Sequence, residues 1–261
     1  MSQQNPLLEK IKLPGRIFQL PSRGIFYENS ELSEDIKNGE IHVQALSALD
    51  EITLKNPDQL FSGDAVQTIF KNCLTGVNKP VELLSKDIDA LMLFLRTVTY
   101  GPAYEIIAKH TCEGAKEHSY VADIDQMIGN MKMIDPTVVE DMYTVKLKND
   151  QVVKLKPTVY KDTIEFIKNN SNKKEITAED QKKNLVIILL SVIKSVDGIS
   201  DKNMITQWIE KLSSPMVNSM VKKIEAINDW GTDNSWKCVC RDCGEDFRVE
   251  IPTNPVVFFT E

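Results

Sequence analysis

Catalytic chemistry is what this sequence has least of. It carries only three histidines in 261 residues, and none lies in a recognisable nucleophile–base motif. No G-x-S-x-G elbow, phosphate-binding loop or G-x-G-x-x-G turn is present. The acidic pairs Asp87/Asp89 and Asp123/Asp125 are accounted for by a helix first turn and a strand end. Asp197 to Asp201 lacks the spacing and terminal Glu of a calcium loop. The chain therefore reads as non-enzymatic. Long apolar runs are missing too. Even a run as long as any, Leu185 to Leu190, is far short of the roughly 20 residues that span a bilayer. Excess positive charge is absent as well. A formal net charge of −7 argues against nucleic acid, whose binding surfaces are basic and clustered. It fits a chain whose partners are other proteins. Met1 to Lys12 is polar, without the apolar core of a signal peptide. The five cysteines are not spaced as a secreted disulfide scaffold, so a reducing cytoplasm is the expectation.

What is present divides into five stretches. Residues 1–30 form an extended N-terminal arm, with Pro14, Gly15, Pro21 and Gly24 imposing turns. Its apolar residues Ile17, Phe18, Leu20, Ile25, Phe26 and Tyr27 are too many for a free tail and must dock on the body or on a partner. Residues 31–102 are predicted helical, after a short strand at Ile41–Val43. Leu46, Leu49 and Ile52 recur at helical spacing. Ser62 is placed as the cap of a helix that packs Val66, Ile69, Phe70, Cys73 and Leu74 inward. Ser85 caps another, which stops at Gly101.

Residues 103–157 are β-rich. Tyr143, Val145 and Leu147 alternate with Thr144, Lys146 and Lys148, turn at Asn149-Asp150, and return through Val153 and Leu155. That is a hairpin with one apolar face and one solvated lysine face. Residues 158–230 return to helix. Thr177 and Asp180 resemble a capping box. The run from Leu185 to Val196 is apolar nearly all round and is predicted to be a central buried helix. Two amphipathic helices follow, divided near Ser213–Pro215. Residues 231–261 form a hairpin and an aromatic tail. The fold class is α+β: a helix-rich body, a β-hairpin insertion, and a C-terminal cysteine-containing β-hairpin of zinc-knuckle type.

Three cysteines fall within six residues, in Cys238-Val-Cys240-Arg-Asp-Cys243-Gly244. Cys240 and Cys243 have knuckle spacing, and Gly244 suits the tight turn. A structural zinc needs four ligands, and no second C-x-x-C exists. The segment Tyr104–Ile124 loosely echoes the C-terminal one: strand, cysteine turn, strand. If the two units pack together, Cys112 with His110 or His118 would complete a site, and the set Cys240, Cys243, Cys112 and His110 is the candidate. Zinc, a metal-free knuckle held by its hairpin, and a redox dithiol all stay open. Cys73 sits on an apolar helix stripe as a plain core residue.

Several segments, in order, resemble the T4-like phage baseplate proteins associated with the baseplate hub and its assembly. They are "LPSRGIFY" (20–27), "LSALDEITLKNPDQLFSGDAVQTIFKNCL" (46–74), "KDIDALMLFLRTVTYG" (86–101), the cysteine-bearing unit His110 to Asp125, and the terminal C-x-x-C with "IPTNPVVFF" (251–259). The resemblance implies a protein that helps build the tail baseplate, as a hub component or a hub assembly chaperone, and no catalytic residues. The partners implied are hub or wedge proteins, in the host cytoplasm during assembly or in the virion baseplate, with a monomer or small oligomer allowed. Ala115 stands where a second cysteine of the first unit is expected, which leaves the cofactor as zinc or none. On this reading Ile17, Phe18, Ile25, Phe26 and Tyr27 of the arm, with Phe258 and Phe259 of the tail, face the partner. The rival reading is a zinc- or redox-dependent regulator using Cys238, Cys240 and Cys243.

Overall fold

A computed structural model describes residues 13–28, 30–36, 38–54, 63–170, 177–253 and 258–259. Strand β1 (Gly15–Gln19) pairs antiparallel with β2 (Glu40–Gln44), so the described part of the arm includes a strand where the sequence suggested irregular chain. Helices α1 (Ala48–Leu54), α2 (Asp64–Cys73) and α3 (Ser85–Tyr100) follow. The hairpin β3 (Ala103–Ala108) and β4 (His118–Asp123) leads into α4 (Ile124–Gly129) and the single turn α5 (Val139–Met142). Strands β5 (Thr144–Lys146) and β6 (Val152–Leu155) form the expected hairpin. Helices α6 (Tyr160–Asn170) and α7 (Ala178–Val192) precede β7 (Ile193–Val196), which joins β6 from its other side. Last come α8 (Lys202–Ile209), α9 (Ser214–Ile227) and the hairpin β8 (Ser235–Val239) with β9 (Asp246–Glu250). The architecture is α+β, with strands confined to small antiparallel sheets.

Two apolar cores organise the molecule. The first gathers β1, β2, α1 to α4 and the tail around α3, where residues 90–95 are all buried. The second gathers the β5–β6–β7 sheet, α7, α8, α9 and Trp230. In the hairpin, Tyr143, Val145, Leu147, Val153 and Leu155 point into this core, while Lys146 and Lys154 pair with Asp150 and Glu140 in solvent. Val66, Ile69, Phe70, Cys73 and Leu74 are buried as their spacing required. Ser62 lies outside the described residues; the residue before α2 is Gly63. The Thr177–Asp180 capping box is formed, with each side chain meeting the other's backbone N–H. Asp123 caps α4 by accepting from Gln126 N–H, and Asp125 holds Arg16 and Thr97, so this acidic pair is structural.

The apolar run at 185–196 departs from expectation. It is helix only to Val192 and strand thereafter, because Ile193 to Val196 complete the sheet beside β6. Asp197 and Gly198, both at positive φ, end that strand rather than the helix. Nor is the helix central. Leu189 and Val192 are buried, but Leu185 and Ile188 are 36% and 44% exposed. Apolar composition all round a helix signals burial only when neighbours exist to cover every face.

The arm and tail also depart from the reading that faced them to a partner. Phe18 is buried and stacks on Phe94 at 4.3 Å. Phe26 packs against Tyr143 and Trp230. Tyr27 is half-buried between the two cores and hydrogen-bonded inside them. Phe258 and Phe259 are fully buried in the first core. Arg96 Nη1 donates to the Phe258 carbonyl at 3.1 Å, and its guanidinium lies over the rings of Tyr100 and Tyr104. Rings with this much apolar surface are stabilised more by the chain's own interior than by waiting in water. Of the seven residues, only Ile17 (65%) and Ile25 (40%) remain exposed.

Candidate metal centre

The β3–β4 and β8–β9 hairpins meet turn to turn. Cys240 follows β8 directly. Its N–H donates to the Glu245 carbonyl at 2.8 Å, and its own carbonyl accepts from Gly244 N–H at 2.9 Å. Gly244 has φ +80°, the left-handed conformation that lets the chain double back after Cys243. The facing loop makes a similar reversal: Ala115 N–H donates to the Cys112 carbonyl at 3.2 Å, with Gly114 at φ +72°. These two turns aim four side chains at one point. The Cys112 and Cys240 sulfurs are 3.8 Å apart, and Cys243 Sγ is 3.3 Å from His110 Nδ1. The four ligand atoms of His110, Cys112, Cys240 and Cys243 all lie within 4.8 Å of one another.

The surroundings fix this geometry. The His110 ring packs on Phe247, and Phe247 packs edge-on against Tyr120. Asp242, between the two knuckle cysteines, reaches across to the other hairpin. Its carboxylate accepts from Lys116 N–H at 2.9 Å and pairs with His118 Nε2 at 2.9 Å. Those contacts hold its carboxyl below the usual range, the Lys116 amide first and His118 next. His118, weighed as a ligand from the sequence, thus belongs to the clamp outside the cluster. Burial opens among the thiols: Cys240 is buried, Cys112 half-buried and Cys243 exposed. Backbone N–H groups of Cys243 and Asp242 draw the Cys240 thiol down to about 7, whereas desolvation and its two sulfur neighbours push Cys112 up to about 12. Cys238 points into the interior from β8 and takes no part, and Cys73 is buried beside Asp50, with its thiol raised to about 12.

A family model described as T4 bacteriophage base plate protein matches residues 37–260. The chain belongs to that family. The match takes in both cysteine hairpins and the second core of this baseplate protein, and most of the first core, beginning after β1. No curated protein and no solved structure matches it. The family supports a role in the phage baseplate. Among its described residues, no helix is long and apolar enough to cross a membrane.

A second polar centre was missed in the sequence. Asp87 is fully buried at the start of α3. It accepts from Ser22 N–H at 3.0 Å and from the Tyr27 hydroxyl at 2.7 Å, and that hydroxyl accepts from Leu84 N–H at 2.7 Å. An acid in a first turn reads as a partner of the helix dipole. Here it also fastens the N-terminal arm. The Tyr27 within "LPSRGIFY" was the available signal, since a buried tyrosine hydroxyl needs a polar partner.

Proposed function

We propose that the chain is a non-enzymatic assembly protein of the tail baseplate, acting as a hub component or hub assembly chaperone that binds other hub or wedge proteins. The family match over residues 37–260 carries this reading. The pattern of exposed apolar side chains supports it. Leu185 and Ile188 lie three residues apart on one face of α7, and Leu49 and Ile52, 75% and 65% exposed, lie likewise on α1. Paired apolar residues left in water on helices suit burial against a partner. The proposed partners are other proteins of the same baseplate. The test is affinity capture of the tagged chain from infected cells. Hub or wedge proteins should co-purify with the wild type and be lost with the double variant L185D/I188D. Recovery of no baseplate protein by the wild type contradicts the function, and retention by the double variant moves the interface elsewhere.

A further inference from the structure

We propose that His110, Cys112, Cys240 and Cys243 bind one zinc(II) ion, which fastens the β8–β9 hairpin to the β3–β4 hairpin. With zinc–sulfur bonds of about 2.3 Å and a zinc–nitrogen bond of about 2.05 Å, a tetrahedral site has sulfur–sulfur edges of about 3.8 Å and sulfur–nitrogen edges of about 3.6 Å. The Cys112–Cys240 separation is 3.8 Å and the Cys243–His110 separation 3.3 Å. A disulfide would need sulfurs about 2.05 Å apart. The donor set decides the metal: three thiols and one imidazole converging within 4.8 Å of one another select zinc over the hard cations that prefer oxygen. Four protein ligands close the coordination sphere and leave no position for a substrate, so the site is structural. Ligation through Nδ1 places the His110 ring proton on Nε2. On binding, each coordinating thiol yields its proton to solvent, three in all from a fully protonated site.

The hairpin itself supplies an independent argument. In β8 only Cys238 is buried, and β9 contains no buried residue. Of the facing loop, residues 109–117, only Ala115 is buried. Trp236 and Val249 are half-buried against the first core, and a two-stranded hairpin with so little further apolar cover is marginal in water. The ordering of both turns, aided by the Asp242 clamp, is what a coordinated ion would stabilise. Asp242 and His118 then act as the outer contacts that orient the ligands.

The experiment is elemental analysis of the full chain purified without chelator, with cobalt(II) substitution as a second readout. One zinc per chain is expected, and cobalt should give the intense visible bands of a tetrahedral ion with thiolate charge transfer. C240S/C243S should lose zinc to background, H110A and C112S should lower its affinity at least tenfold, and C238S should keep a full equivalent. Zinc in the wild type no higher than in C240S/C243S overturns the proposal, as does a Cys112–Cys240 disulfide in metal-free protein. If the variants fail to fold, the wild-type stoichiometry and cobalt spectrum still decide.

Discussion

Replacing Tyr27 with phenylalanine removes one oxygen and leaves the ring. That oxygen donates to Asp87 at 2.7 Å and accepts from Leu84 N–H at 2.7 Å. Its loss weakens the hold on a buried carboxylate, a charge-assisted bond contributing about 1.5–3 kcal/mol, and orphans an amide at a further cost of about 1–3 kcal/mol. The sum is about 2.5–6 kcal/mol, or roughly 10 °C in Tm for a chain of this size. The pH dependence follows from Asp87. Burial raises its carboxyl from an ordinary 3.8 to about 6, with the Ser22 and Tyr27 hydrogen bonds opposing the rise. A folded pKa above the unfolded one means that the folded chain holds more protons between the two values. Stability from this group is therefore greatest below pH 4 and falls as pH rises to about 6. Tyr27→Phe removes one opposing bond, raises the folded pKa further and widens that window upward. The variant should lose more stability, relative to wild type, at pH 8 than at pH 4.5. Thermal denaturation of both proteins at the two pH values measures this. A Tm drop below about 2 °C, or an equal drop at both pH values, would refute the role given to the Asp87 centre.

Asp87→Asn keeps an acceptor and removes the buried charge, so the fall in stability between pH 4 and 6 should flatten, as read from denaturant midpoints across that range. Phe258→Ala should cost about 3–5 kcal/mol by opening a cavity beside Tyr104 and Arg96, measured by urea unfolding; an unchanged midpoint would return the tail to the surface. Thr177→Ala breaks the capping box of α7 and should cost about 1 kcal/mol in the same assay. L185D/I188D should cost about 1 kcal/mol per site, since both side chains are more than half covered and Asp is a poor helix former, while abolishing capture of baseplate proteins.

Local signals in the sequence proved legible. The β5–β6 alternation, the α2 stripe and the Thr177–Asp180 cap are all encoded within a few residues and are all found. The knuckle turn was legible for the same reason. The convergence of His110 and Cys112 on it was visible only through the echo between two strand–turn–strand units, because those ligands are separated by 133 and 128 positions from their nearest partners. Burial was harder. The residues of α7 give no hint of which face lacks a neighbour, and the same apolar run supplies a strand once β6 offers an open edge. Phe258 and Phe259 read from the sequence as facing a partner, but Arg96 and its aromatic neighbours lie more than 150 residues away in sequence and hold both rings inside. Asp87 reads from the sequence only as a first-turn acid, because the groups it fastens lie 60 and 65 positions away in the arm.

The most direct test of a baseplate assembly role is infection with a phage in which this chain is interrupted, followed by electron microscopy and sedimentation of the tail structures formed. The account requires complete baseplates to vanish and unjoined hub or wedge intermediates to accumulate, with recovery when the chain is supplied in trans. Normal baseplates and infective particles without the chain would contradict it.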